Sequence, residues 1–277
     1  MKTYLKLVHL EIYRFRLVLL GLMAMTSAIQ LIGLQLAMRD RLQAIRGQLT
    51  REGLSLAQYA ERYNGIPLGE IWSHRESWMT FPIVICIGGI GLYIFLIWYR
   101  DWFGRSAFVY RLLMLPHSRF LLYVSKFTAL MTFVFSLFAL QIGIVAVQMT
   151  MYRLRMPDEL RVPRTLVDTI RGMDLVLFIP VRLHEFLLVY GFGSVFVLLL
   201  FTTILMERSY RFKGLLAGLA YTAGTLMLVA WMWGQAERGT ALLYPSELLA
   251  AAIALMLLNA ALSLWLGRWL LRTKVAA

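Results

Sequence analysis

The sequence predicts an all-α polytopic membrane protein with six transmembrane helices, an amphipathic helix at the N-terminus and one short helix on a loop. Three observations predict it. Hydrophobic residues fill 60% of the 277 positions and charged residues only 16%, where a soluble domain carries about a quarter charged residues. The apolar residues gather into runs of about twenty, the length that about 30 Å of hydrocarbon demands. Asp, Glu, Lys and Arg are missing from all six runs, and a charge at a helix centre costs about 2.5–3.5 kcal/mol on insertion.

The elements follow in order. In residues 1–16, Tyr4, Leu5, Val8, Ile12 and Phe15 recur at spacings of three and four, while Lys2, Lys6, Arg14 and Arg16 can reach headgroups. This is the pattern of an interfacial amphipathic helix. The chain then divides into that lead and a six-span domain over 17–277. The first run, Leu17–Met38, follows a polar lead containing Glu11. It exceeds the roughly 7–15 residues of a signal h-region, so it reads as a retained span.

Residues 39–80 are predicted to form an outside helical segment. Leu42, Ile45 and Leu49 share a helical face. A second helix is expected from Ser55, with Gln58 completing a capping box. Asn64-Gly65, followed by Pro67, ends it. The remaining spans are 81–99, 127–149, 186–206, 215–233 and 248–266. Trp78, Trp98, Tyr99, Trp102, Tyr152, Trp231 and Trp233 mark run ends, where such rings prefer the headgroup level. Segment 150–185, with Pro157, Pro163 and Pro180, reads as loop with short helical pieces. Its stretch 175–180 is too short to span. Gly214 and Gly218 form a G-x-x-x-G at the start of the fifth span, a pattern for close helix contact.

Charge sets the expected orientation. With the N-terminus inside, the inner segments 1–16, 100–126, 207–214 and 267–277 hold fifteen Lys and Arg against three acids. The outer segments hold thirteen against twelve, in a longer stretch of chain. All five lysines fall inside. Positive-inside counting therefore puts both termini in the cytoplasm. The net charge of +13 is spread between runs rather than gathered on one face, which argues against a nucleic-acid partner.

Signals for chemistry are sparse. The lone Cys86 lies in an apolar run and reads as a small buried hydrophobe. No HExxH, no G-x-S-x-G and no G-x-x-x-x-G-K-[ST] occurs, so the zinc-protease, nucleophile-elbow and P-loop motifs are absent. His184-Glu185 reads as a surface pair. Gly191-Phe192-Gly193-Ser194 reads as small residues for helix packing. Gln30, Gln141, Gln148 and Asn259, along with Gln35, are polar positions inside spans. They line a substrate path or bond helix to helix, and the sequence leaves both readings open.

The informative segment is 100–126. It runs Arg100-Asp101-Trp102-Phe103-Gly104-Arg105, then Arg111-Leu112-Leu113-Met114-Leu115-Pro116-His117-Ser118-Arg119, and ends at Lys126. Gly104 can break the preceding helix. Nothing from Arg105 to Leu115 breaks a helix, and Phe108, Leu112 and Leu115 share a face. Pro116 ends the helix, and Ser118 can cap the next. The result is a short, mostly apolar helix whose face needs cover from lipid headgroups or another protein.

This segment resembles the ABC-2 type permeases, the membrane subunits of ABC transporters. The resemblance rests on Asp101, Gly104, Leu113, Leu115, Pro116, Ser118, Arg119 and Lys126, and the six-span layout extends it along the chain. Asp101 stands where glutamate is usual and His117 where a small apolar residue is usual. The resemblance implies a coupling helix that docks on an ATP-binding subunit, with Asp101, Gly104, Arg105, Phe108, Arg111, Leu112, Leu115, Pro116, Ser118 and Arg119 as its docking set. It implies a non-catalytic chain without a cofactor, ATP and magnesium being held by two partner ATPase subunits. A second permease, identical or a paralogue, would complete an exporter of peptide, lipid or drug in a bacterial-type plasma membrane. Two other classes compete: a polytopic scaffold or sensor, and a membrane-embedded lipid-modifying enzyme.

Overall fold

The computed structural model describes residues 2–73, 75–103, 118–173, 175, 178–237 and 244–273. Among them the α-helices are α1 (Lys2–Glu52), α2 (Leu56–Tyr63), α3 (Leu68–Ser73), α4 (Glu76–Phe103), α5 (Phe120–Arg155), α6 (Leu166–Gly172), α7 (Leu183–Tyr210), α8 (Phe212–Glu237) and α9 (Pro245–Thr273). A 3-10 turn lies at Asp158–Leu160, and one parallel bridge joins Ile66 to Arg161. Helices α1, α4, α5, α7, α8 and α9 are long and apolar enough to cross a membrane. The chain is a polytopic, all-α membrane protein, and each predicted span falls within one of these helices. The short helix expected from Arg105 to Leu115, with Gly104 and Pro116 at its ends, lies outside the described residues.

The expected boundaries at residues 16 and 38 are not helix ends. Helix α1 continues from the amphipathic lead through the span and into the outer segment. Its sequence has no proline and is rich in Leu, Met, Ala, Arg and Gln, all good helix formers. Polarity changes along it, but nothing stops the hydrogen-bond ladder. It ends at Gly53, whose φ of +64° is left-handed. There the Leu54 N–H donates back to the Leu49 carbonyl at 3.3 Å, closing the helix as glycine permits.

The described chain forms two compact units: one from 1–14, 91–132 and 187–277, the other from 15–90 and 133–186. The second unit contains the two polar segments predicted to lie outside. The capping box at Ser55 and Gln58 is present, and Asn64 ends α2 in the left-handed region. These segments, 39–80 and 150–185, fold on each other. The Ile66 N–H donates to the Leu160 carbonyl at 2.9 Å. The Tyr152 hydroxyl donates to the Ile66 carbonyl at 2.6 Å and accepts from the Val162 N–H at 3.0 Å. Ile45, Tyr59, Ile66, Ile71, Trp72 and Leu160 are buried in the resulting core. Burial raises the pKa of the Tyr59 phenol, against the opposing charge of Arg41. The phenol donates to Gln48 Oε1 at 3.0 Å. Arg41 and Glu70 form an ion pair, and Arg75 pairs with Asp40 at 2.5 Å.

The first unit is built around α7, whose side chains from Val195 to Leu205 are largely buried. Trp98, Tyr123 and Phe201 form a buried aromatic knot, with Phe201 edge-on to both partners at 5.5 and 5.6 Å between centroids. Helices α7 and α8 are joined through Arg211 alone, at φ +53°. Large apolar side chains such as Met227 (71% exposed) and Leu257 (64%) remain open on α8 and α9, as suits a surface solvated by lipid.

The G-x-x-x-G expectation is met by close approach of α7 and α8. A Cβ on Gly214 would lie 1.9 Å from the Met206 carbonyl oxygen, and one on Gly218 would lie 2.9 Å from Thr203 Cα. Thr203 Oγ1 donates to the Gly218 carbonyl at 3.1 Å. Gly218→Leu is therefore predicted to destabilise by about 1–3 kcal/mol through overpacking. Gly224→Ala, on the same helix with no atom within 4 Å, is predicted to stabilise by about 0.5–1 kcal/mol. Unfolding in detergent, followed by circular dichroism, measures both.

Candidate functional site

The first unit buries charge. Three helices supply it: Glu11 from α1, Arg100 and Asp101 from the last turns of α4, and Lys126 near the start of α5. Glu11 and Asp101 are almost wholly buried, and Lys126 is 0% exposed. An ammonium removed from water needs all three of its protons bonded, and here each has an acceptor. Lys126 Nζ donates to Glu11 Oε1 at 2.8 Å, to the Ile97 carbonyl at 2.7 Å and to Asp101 Oδ2 at 2.5 Å.

The remaining carboxylate oxygens are also engaged. Arg100 Nη2 donates to Glu11 Oε2 at 3.0 Å, and Arg14 Nη1 donates to Asp101 Oδ1 at 3.0 Å. Arg14 also lies 3.8 Å from Glu11 Oε1. Two carboxylates thus face three cations. Aromatic faces line the cluster: Lys126 Nζ is 5.4 Å from the Trp98 ring centroid, and Arg100 Cζ is 6.0 Å from that of Tyr93. The Arg guanidiniums are partly open while the lysine is sealed. The cluster is therefore a lock with a dry centre and a wet rim, and its bonded ends belong to the two helices that flank residues 104–117.

Neighbouring contacts tie down the same ends. The Tyr99 hydroxyl donates to Glu207 Oε2, and Arg208 stacks over Tyr99 and Trp102 at 4.9 and 5.7 Å from their centroids. Arg119 Nη1 donates to the Leu271 carbonyl at 3.3 Å. The Ser118 carbonyl accepts from the Leu121 N–H at 2.9 Å at the start of α5.

Of the sequence-predicted docking set, the structure places Asp101 in the ion cluster, Arg119 against α9 and Ser118 at an exposed helix start. Gly104, Arg105, Phe108, Arg111, Leu112, Leu115 and Pro116 lie outside the described residues. Sequence reasoning missed the meeting of Glu11, Arg14 and Arg100 with Lys126. One signal was available: an acid within the apolar spacing of the lead, three residues after Val8.

The polar residues inside spans separate into two groups. In the second unit, Gln141 Nε2 donates to Gln30 Oε1 at 3.0 Å, and Gln30 Nε2 donates to the Met79 carbonyl at 2.9 Å. Gln148 lies over Met79, its Nε2 3.9 Å from the sulfur. In the first unit, Thr225 Oγ1 donates to Asn259 Oδ1 at 3.1 Å, and Asn259 Nδ2 donates to the Leu255 carbonyl at 2.9 Å. All four residues are buried, and each of these bonds except that of Asn259 to Leu255 joins different helices. Glu185 accepts from the Val181 and Arg182 N–H groups at 3.1 Å each, which caps α7. Gly191 packs where a Cβ would meet Met256 at 2.4 Å. Among the described residues, no group of three or more His, Cys, Asp and Glu side chains is placed to hold a metal ion.

Compared with models of known families, with curated proteins and with solved structures, the chain matches none.

Removing Lys126 strands two buried carboxylates with only their arginine partners. Lys126→Met is predicted to destabilise the protein by about 3–5 kcal/mol, the range for breaking a buried ion pair. Arg46→Met, at an exposed position of α1, should change stability by less than about 0.5 kcal/mol. Chemical unfolding in detergent reads the difference.

Proposed function

We propose that this chain is the membrane-spanning permease subunit of an ABC-2 type transporter, exporting a hydrophobic or amphipathic substrate with ATP hydrolysed in a separate subunit. The observation that carries the reading is the anchoring of both ends of segment 104–117. Asp101 before it and Lys126 after it share one buried ion pair, and Glu11 joins them. A helix on that segment would be mounted on a stiff base. Force applied to it would pass into α1, α4 and α5 rather than being lost in a loose loop.

The resemblance of Asp101, Gly104, Leu113, Leu115, Pro116, Ser118, Arg119 and Lys126 to the permease loop supports the same role. In this reading residues 105–115 form the coupling helix, Phe108 and Leu112 are its central anchors, and Arg105 and Arg111 belong to the docking set. The lead is continuous with the first span within α1, and its exposed Leu5 and Tyr13 beside Lys6 and His9 are a mixture suited to the headgroup layer. Two ATPase subunits holding ATP and magnesium, together with a second permease, complete the complex. It sits in a bacterial-type plasma membrane with both termini cytoplasmic. The buried glutamines and Asn259 serve as helix bonds or line a substrate path formed when helices part.

Phe108→Ala and Leu112→Ala test the reading. Hot-spot truncations in interface centres cost about 1–3 kcal/mol, so each should weaken recovery of the ATPase in mild detergent and lower ATP hydrolysis stimulated by substrate. Expression and membrane insertion should hold, since neither residue lies in a span. Full ATPase recovery and hydrolysis with both variants would contradict the coupling role and leave the helix lying flat in the headgroup layer.

A further inference from the structure

Three arginines converge on one cavity in the second unit. The cavity has a volume of about 250 Å³ and lies at the far end of α5 from Phe120. Arg153, from the last turn of α5, lines it together with Arg161 and Arg164 from the chain that follows. Among the described residues, no acidic side chain lines it. Neither Arg153 nor Arg164 has an ion-pair partner among the described residues. Arg161 is only partly neutralised: it pairs at 2.7 Å with Asp158, whose side chain is 87% exposed. Its Nε is buried and bonded to nothing in the protein. The Arg161 Nη2 also donates to the Met156 carbonyl at 2.9 Å, so the exposed Arg153 and Arg164 carry most of the charge open to an anion in the cavity.

The walls are fixed and partly apolar. A Cβ on Gly69 would lie 2.1 Å from the Gly172 carbonyl oxygen, so α3 and α6 meet backbone to backbone. The Tyr152 hydroxyl holds Ile66 and Val162 on either side. Leu68, Val162 and Pro163 give an apolar wall, and the hydroxyl of buried Thr169 donates to the Thr165 carbonyl at 2.8 Å. Arg153 and Arg164 are exposed and Arg161 is partly buried, and all three are carried on backbone held in place by these contacts, which lowers the cost of gathering them on one anion.

Size and chemistry narrow the occupant. Pockets for drug-sized ligands run from about 300 to 1,000 Å³, so this one suits a single small group. Guanidiniums bond oxyanions in a two-pronged way, and phosphate offers the most acceptor oxygens. Arg153 ends a membrane-length helix, where lipid phosphates lie. We propose that this cavity binds a phosphate group, as a free ion or as the headgroup of an anionic lipid. The proposal stands independently of the permease reading.

Binding to the purified full-length chain in neutral detergent tests it, by calorimetry at constant ionic strength. The probes are inorganic phosphate, short-chain phosphatidylglycerol and short-chain phosphatidylcholine. Saturable binding of phosphate, phosphatidylglycerol or both is expected, weakened about tenfold or more in the double variant Arg153→Gln/Arg164→Gln. Binding of both probes identifies a general phosphate site. Binding of phosphatidylglycerol alone identifies a headgroup site, and of phosphate alone a free-ion site. Arg164→Gln alone should show an intermediate loss, and Arg46→Gln none. Absence of saturable binding by either anionic probe would overturn the proposal. So would binding unchanged in the arginine variants, or phosphatidylcholine binding as tightly as phosphatidylglycerol.

Discussion

An ammonium group with no access to water sets the strictest condition in this structure. Lys126 has no exposed surface, and its charge is tolerable only where three acceptors are aimed at it. They come from α1, as Glu11, and from α4, as the Ile97 carbonyl and Asp101. Isolated charges in a low-dielectric interior cost several kcal/mol each, even after relaxation. Helices α1, α4 and α5 must therefore meet at one register. A shift of one helical turn, about 5.4 Å, would break every bond to the lysine. Apolar packing alone would not forbid such a slide, because Leu, Ile and Val faces are nearly interchangeable in lipid. The ion cluster thus contributes specificity at least as much as stability. The aromatic knot of Trp98, Tyr123 and Phe201 fills the space beside it.

The second unit is held by other means. Its bonds inside the spans are uncharged: Gln30, Gln141 and the Met79 carbonyl. Interhelical bonds of this kind average about 0.6 kcal/mol in membranes. Outside the spans it has a small buried core of Ile, Leu, Trp and Tyr side chains from 39–80 and 150–185. The phenol of Tyr152 pins two loops to each other there. Rigid loops around three arginines then leave a cavity with positive walls, which is why the anion pocket lies in this unit.

Much of this was legible in the sequence, for definite reasons. The spans were readable because charge is excluded from them, and every run lies within a long helix. Ser55 and Gln58 announced the start of α2, because a capping box is a local device that needs no tertiary partner. Gly214 and Gly218 announced close approach, because only small residues allow it. The ion cluster was not readable. Glu11, Asp101 and Lys126 are far apart in the chain, and each carries its charge in a segment that looks like ordinary cytoplasmic flank. Burial depends on which helix faces which, and periodicity does not record that. The length of α1 was hidden for a different reason. Polarity changes at residues 16 and 38, whereas helix ends follow backbone signals such as Gly53. The mutual folding of the two polar segments also escaped, since their contacts join residues about ninety positions apart, as Ile66 and Tyr152 do.

The central claim is that Glu11 and Lys126 act as one buried unit that fixes α1 on α4 and α5. A double-mutant cycle tests it most directly, with Glu11→Gln, Lys126→Met and the pair, each unfolded in the same detergent. The account predicts strong non-additivity. The double variant should be less destabilised than the sum of the singles by about 1–3 kcal/mol, because removing the second charge relieves the first of its isolation. Additivity of the two substitutions within about 0.5 kcal/mol would mean the charges do not depend on each other, and would contradict the account.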